Sequence, residues 1–217
     1  MHCIKCNTEA KPGAKFCHAC GQPLEVTTPP VSVADGAQND AETARQTRQI
    51  AEQGNAKAQY ELGVMYAKGQ GVAKDDEQAV GWFLKAAGQG QANAQAILGA
   101  MYANGRGVVE SNEEAAGWTQ KAAEQGHVDA QYNLGLMYAD GQGVAQDDEQ
   151  AVKWFRTAAD QGHADAQFDL GVMYRDGQGV TQDDAQAVEW TRKAADQRHT
   201  EAQYSLGVMY ANGQCVE

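Results

Sequence analysis

Apolar and polar positions along this chain recur on two scales at once. Within short stretches the apolar residues fall three and four apart, the spacing of one helix face. Over longer distances the whole pattern returns every 36 residues. The fragments AQYELGVMYAKGQGV, AQAILGAMYANGRGV, AQYNLGLMYADGQGV, AQFDLGVMYRDGQGV and AQYSLGVMYANGQCV begin at Ala58, Ala94, Ala130, Ala166 and Ala202. Leu62, Leu98, Leu134, Leu170 and Leu206 keep that step, as do Trp82, Trp118, Trp154 and Trp190. A phase that never slips describes one unit copied without insertions, and units of this size stack side by side into a solenoid.

Each unit predicts two helices. In the first, Ala58, Leu62, Met65 and Tyr66 share a face, and Gly69 supplies the stop. The second opens on Asp75-x-x-Gln78 as a capping box, carries Ala79, Trp82, Phe83, Ala86 and Ala87 as its apolar stripe, and ends at Gly90. Ser111-x-x-Glu114, Asp147-x-x-Gln150 and Asp183-x-x-Gln186 repeat that opening. Gly63 and its copies sit inside the first helix, where glycine costs about 1 kcal/mol relative to alanine. Their recurrence predicts a close approach of paired backbones. The preceding stretch 41–54, AETARQTRQIAEQG, reads as an N-terminal capping helix, with Gln46 where the tryptophan belongs.

The first helix carries a second apolar row. Tyr60, Val64 and Ala67 lie off the core stripe, as do Tyr132, Leu136 and Ala139, Phe168 and Val172, and Tyr204 and Val208. A helix apolar on two faces is buried on both, or binds something. The row therefore either packs on the neighbouring repeat or floors a groove. Positions beside it change from copy to copy: Glu61, Ile97, Asn133, Asp169 and Ser205, then Lys68, Asn104, Asp140, Asp176 and Asn212. Polar residues rimming an aromatic floor suit a peptide groove. The residues expected to contact a partner are Tyr60, Glu61, Val64, Lys68, Tyr132, Asn133, Leu136, Phe168, Asp169, Val172, Tyr204 and Val208.

The N-terminal segment is built differently. Four of the five cysteines lie in CIKCNTEAKPGAKFCHACG, as Cys3-x-x-Cys6 and Cys17-x-x-Cys20. Two such knuckles bring four thiolates to one tetrahedral zinc with no open position, so the site is structural. Asn7 and Gly21 suit the turns that aim N–H groups at the sulfurs. Ile4, Phe16 and Leu24 make a small cluster for the metal to complete. Two disulfides are the alternative, and they need an oxidising compartment. No secretory signal precedes these cysteines. His2 and His18 read as bystanders. Residues 25–40, with Pro29-Pro30 and Gly36, read as a flexible linker.

Charge bounds the partner. The formal net is −12; residues 1–23 carry three lysines against one glutamate, so the remainder holds −14. Such a surface repels nucleic acid and anionic membrane and favours basic or neutral protein segments. No apolar span is long enough to cross a bilayer, and the expected compartment is a reducing cytoplasm. Asp75-Asp76, Asp147-Asp148 and Asp183-Asp184 cap helices and lack the alternation of a calcium loop. His127, His163 and His199 lie one repeat apart, too far to share a zinc, and read as surface residues opening first helices. No Ser-His-Asp order, carboxylate pair or phosphate-cradling loop stands out. Cys215 replaces the second glycine of Gly-x-Gly-Val and is expected to be strained; residues 202–214 are expected to fray.

Two resemblances gather these features. Ala-x-x-x-Leu-Gly-x-x-Tyr, Gly-x-Gly-Val and Ala-x-x-Trp across residues 56–216 resemble the Sel1-like repeat, a relative of the tetratricopeptide repeat. That resemblance implies an all-α, right-handed superhelical solenoid whose first helices line a concave face, and a scaffold role in protein–protein interaction. The organisation it gives is a capping helix at 41–54, four full repeats from 58, 94, 130 and 166, and a partial repeat 202–217. Residues 1–24 resemble a short bacterial zinc-ribbon through Lys15, Phe16, Cys17, Gly21 and Leu24, departing at Asn7. That ribbon could alternatively bind nucleic acid through Lys5, Lys11 and Lys15, but no aromatic stacking row accompanies them. Some secreted Sel1-like proteins are described as binding or hydrolysing β-lactams; they carry cysteine pairs in each repeat, and residues 21–214 hold no cysteine. No enzymatic activity is expected.

Overall fold

The computed structural model describes residues 33–211, which form ten α-helices and, among them, no strand. These are α1 (Val33–Glu52), α2 (Ala56–Lys68), α3 (Asp76–Gly88), α4 (Ala92–Ala103), α5 (Asn112–Glu124), α6 (Val128–Asp140), α7 (Asp148–Asp160), α8 (Ala164–Asp176), α9 (Asp184–Asp196) and α10 (Thr200–Ala211). The zinc-ribbon expected at 1–24, with Cys3, Cys6, Cys17 and Cys20, lies outside the described residues, as does Cys215. Each helix packs chiefly on the one before it and the one after it, so α2 with α3, α4 with α5, α6 with α7 and α8 with α9 are the predicted pairs.

Of the stretch 25–40 expected as a linker, residues 33–40 are helical, because α1 begins at Val33, and residues 25–32 lie outside the described residues. No proline occurs between Val33 and Glu52, so nothing interrupts the helix once it starts. Its middle is also used in packing. A Cβ built at Gly71 would lie 2.1 Å from the Asp40 carbonyl oxygen, so the Gly-x-Gly turn after α2 sits directly on α1. The same contact joins Gly107 to Asp76, Gly143 to Asn112 and Gly179 to Asp148.

Helix boundaries follow the caps. Asp75, Ser111, Asp147 and Asp183 each accept the N–H of the residue three on, at 3.0–3.2 Å. The reciprocal half of the expected capping box is replaced. The N–H of each cap donates instead to a tyrosine carbonyl in the first helix: Asp75 to Tyr66, Ser111 to Tyr102, Asp147 to Tyr138 and Asp183 to Tyr174. Each inter-helix loop is thus pinned back onto the helix it leaves.

The core is the predicted stripe. Leu62, Leu98, Leu134 and Leu170 are fully buried among Ala79, Phe83, Ala86 and their copies, each worth roughly 1.5–3 kcal/mol of burial. The glycines inside the first helices do face a close neighbour, but it is a side chain. A Cβ at Gly63 or Gly135 would lie 2.6 Å from the ring of Phe83 or Phe155, and at Gly99 or Gly171 it would meet the hydroxyl of Thr119 or Thr191.

A glutamine clasp completes each unit. Buried Gln59, Gln95, Gln131 and Gln167 donate through Nε2 to the carbonyls of Ala51, Ala87, Ala123 and Ala159 in the preceding helix, at 3.0–3.1 Å. Their Oε1 atoms accept from Gln89, Gln125, Gln161 and Gln197, which close the following helix, at 2.6–2.8 Å. Every clasp ties three consecutive helices and leaves no polar atom of the buried amide oxygen unpaired.

Candidate functional site

The first helices α2, α6, α8 and α10 present the residues singled out for partner contact, and the structure sorts them by exposure. Glu61, Lys68 and Asn133 are exposed, whereas Tyr60, Val64, Tyr132, Leu136, Phe168, Asp169 and Val172 are half-buried. The second apolar row therefore packs in part on the core. Tyr60 and Val64 pack on the core around Phe83 and Leu98, and Tyr132 and Leu136 on the core around Phe155 and Leu170, each keeping one side open. On α10, Tyr204 is 78% exposed and Val208 41%.

The histidines that open the later first helices are N-caps. Nδ1 of His127, His163 and His199 accepts the N–H of Ala130, Ala166 and Ala202 at 3.1–3.3 Å, as Asn55 and Gln91 do in the first two units with their side-chain oxygens. Nε2 is left as the donor: in His199 it lies 3.0 Å from Asp165, and in His163 3.6 Å from Asp129. Rings from the preceding first helix cover two of them. Tyr132 stacks on His163 with centroids 4.5 Å apart, and Phe168 on His199 at 5.0 Å. These histidines are half-buried and not the open surface residues the sequence suggested.

Between α6 and α8 the Tyr132 hydroxyl donates to Asp169 Oδ2 at 3.0 Å. Burial pushes the Asp169 carboxyl above the ordinary carboxylate range, against the opposing pull of the Tyr132 hydrogen bond. Burial, with the Asp169 charge beside it, pushes the Tyr132 hydroxyl well above the ordinary phenol range.

Around α4, where the sequence marked only Ile97 and Asn104 as varying positions, the face opens into two adjoining cavities. One, of about 560 Å³, is lined by Val64, Ala67, Lys68, Ile97, Met101 and Asn104 among others. The other, of about 430 Å³, lies between Tyr60 and Asn133, with Ala96, Ile97, Ala100 and Thr119 inside and His127 and Asp129 at its edge. Ile97 and Ala100 belong to both. Arg106, at the end of the larger cavity, donates to Asp76 Oδ1 at 2.6 Å and to the Ala67 carbonyl at 3.1 Å, locking two units together. The signal in the sequence was the odd residue in the series Tyr60, Ala96, Tyr132, Phe168, Tyr204.

Among the described residues no group of three or more His, Cys, Asp or Glu side chains could hold a metal ion. None of the described helices is long and apolar enough to cross a membrane.

The repeat model of one family, described as Sel1 repeat, matches residues 56–91, 92–127, 128–163, 164–199 and 200–217. The chain belongs to the Sel1 repeat family. The matched Sel1 units begin two residues before the fragments that mark the period, at the starts of α2, α4, α6, α8 and α10. Among solved structures, this Sel1 chain is similar to c5321 of uropathogenic Escherichia coli, a protective antigen displaying an SLR fold: 46% identity over 80% of this chain and 37% of that one, TM-score 0.78. It is also similar to a Sel1 repeat protein from Oxalobacter formigenes: 39% identity over 78% of this chain and 50% of that one, TM-score 0.73. The Sel1 chain thus spans half or less of the length of these two relatives. No curated protein matches it.

Proposed function

We propose that this chain is a non-enzymatic scaffold that docks a protein or peptide partner on the face made by its first helices. The reading places that face on the concave side of a right-handed superhelix, as the Sel1 family resemblance implies, and Sel1 repeats in general serve protein–protein interaction. One observation carries it: two adjoining cavities, the larger of them mostly apolar, are edged by exposed Lys68, Asn104 and Asn133, positions that vary while the core repeats, with exposed Glu61 on the same helix as Lys68. A conserved-looking framework with variable rim chemistry is how a repeat surface acquires specificity. The net charge of −12 directs the choice toward basic or neutral segments.

In the same reading Cys3, Cys6, Cys17 and Cys20 hold a structural zinc that stabilises the N-terminal segment, and the protein works in a reducing compartment such as the cytoplasm. Four thiols in two Cys-x-x-Cys knuckles are the donor set that zinc prefers, and no other metal chemistry is asked of them. Affinity capture from the parent cell tests the scaffold role. Glu61→Lys combined with Lys68→Glu is expected to lose the specific partner, whereas Glu113→Lys on α5 keeps it. A partner retained by the first-helix variant overturns this reading.

A further inference from the structure

One of five equivalent positions on the first-helix face breaks the pattern. The fifth residue of each first helix is Tyr60, Ala96, Tyr132, Phe168 and Tyr204 in turn. Where the ring is present between later units, it has a defined bed. The Tyr132 ring stacks on His163 with centroids 4.5 Å apart and planes 23° from parallel, and it lies 5.7 Å from the ring of Phe155. Its hydroxyl donates to Asp169. Phe168 repeats the stack on His199 at 5.0 Å and 28°.

In the second unit the bed is made and the ring is missing. His127 caps α6 as His163 caps α8, Asn133 occupies the position equivalent to Asp169, and Thr119 stands where the third unit has Phe155. Among the described residues no ring stacks on His127. Two rings are therefore trimmed at one place, Tyr to Ala96 and Phe to Thr119, and the cavity of about 430 Å³ is the space they leave.

We propose that this cavity is a socket for one tyrosine side chain of a partner polypeptide, flanked in the partner's sequence by a basic residue. The proposal rests on the scaffold reading and narrows it to a single anchor. The partner's ring stacks on His127 as Tyr132 stacks on His163, and an aromatic anchor in a preformed slot is the usual centre of an interface. Its hydroxyl meets the Asn133 side-chain amide as the Tyr132 hydroxyl meets Asp169. The amide both donates and accepts, so it satisfies a phenol without burying a charge. Charge complementarity sets the neighbour. Asp129 is the one charged side chain lining the cavity, its side chain is 76% exposed, and the chain as a whole is acidic. A lysine or arginine beside the tyrosine is favoured there and a carboxylate is repelled.

Titration of the full chain with acetyl-Lys-Tyr-Lys-amide and acetyl-Lys-Ala-Lys-amide, followed by NMR, tests the socket. The tyrosine peptide is expected to bind at least about tenfold more tightly than the alanine peptide, with a ring-current shift on the His127 imidazole protons. Ala96→Tyr supplies the missing ring from within and is expected to abolish the difference. Equal binding of the two peptides, or a difference that survives in a folded Ala96→Tyr chain, overturns the socket. Should that variant not fold, p-cresol added to the unaltered chain decides: an upfield shift of the His127 protons supports the proposal and its absence overturns it. A physiological partner lost with the Glu61/Lys68 variant but held by Ala96→Tyr leaves the scaffold reading standing and removes the socket alone.

Discussion

Gln161 Nε2 donates to Gln131 Oε1 at 2.6 Å, joining the end of α7 to the start of α6. The same Gln131 donates to the Ala123 carbonyl at the end of α5 at 3.1 Å. One buried amide therefore ties three helices together. Gln131→Leu removes both bonds, while the Ala123 carbonyl keeps the Gly126 N–H and Gln161 keeps the Thr157 carbonyl, and is expected to cost roughly 1–2 kcal/mol in denaturant unfolding. Gln131→Glu keeps the shape, loses the donor to Ala123 and buries a charge, so it is expected to cost at least as much at neutral pH. A loss below about 0.5 kcal/mol for both would contradict the clasp.

Two glycines of identical backbone sign separate conformational cost from steric cost. Gly126 has φ +86° with nothing within 4 Å of a built Cβ, whereas at Gly107, φ +70°, a Cβ would lie 2.4 Å from the Asp76 carbonyl oxygen. Gly126→Ala is expected to cost about 1–2 kcal/mol, the left-handed penalty alone. Gly107→Ala is expected to cost clearly more, because the turn must also leave α3. Arg198 occupies the position of Gly126 at φ +68°, so Arg198→Gly is expected to raise stability by about 1 kcal/mol. Equal effects at Gly126 and Gly107 would remove the steric argument.

Asp169 gives the fold a pH dependence of stated sign. Its carboxyl is raised first by burial and then by the charge of Asp165, while the Tyr132 hydrogen bond and His199 and His163 pull it down. A carboxyl raised on folding contributes stability that is complete below its unfolded value, near about 3.9. That contribution is lost as the pH climbs through the folded value. Asp169→Asn retains an acceptor for Tyr132 and has no charge to bury. The variant is expected to match the wild type near about pH 3 and to become the more stable of the two as the pH rises to neutrality. A gap that is constant or closes with rising pH contradicts the assignment.

Much of this architecture was legible in the sequence because repetition averages out noise. Leu62 and its copies, the stripe from Ala79 to Ala87, and the caps at Asp75, Ser111, Asp147 and Asp183 all followed from period and spacing alone. What stayed hidden was what depends on pairing between units. Gln59 reads as an ordinary polar residue until Ala51 and Gln89 are beside it. Asp75 reads as half of a capping box until its N–H is seen to reach Tyr66. The start of α1 at Val33 was masked by a polar, glycine-containing composition that resembles a linker. At the candidate site the informative residue is a small one, since Ala96 matters through the ring it lacks and nothing in an alanine's own chemistry marks a cavity.

The four N-terminal thiols carry a separate prediction. Purified under reducing conditions, the full chain is expected to contain zinc at a single equivalent by elemental analysis, and Cys3→Ser with Cys17→Ser is expected to lose it. The solenoid helicity should survive that loss. Four free thiols with no bound metal in that reduced preparation would rule the site out.

The most direct measurement of the central claim is methyl NMR of the full chain with its captured partner, read at Ala96, Ile97 and Ala100 on α4 against Leu84 on α3, which is 37% exposed. The account predicts that the partner shifts the α4 methyls and leaves Leu84 in place. Shifts confined to Leu84 and its neighbours on the second helices, with the α4 methyls unmoved, would contradict it.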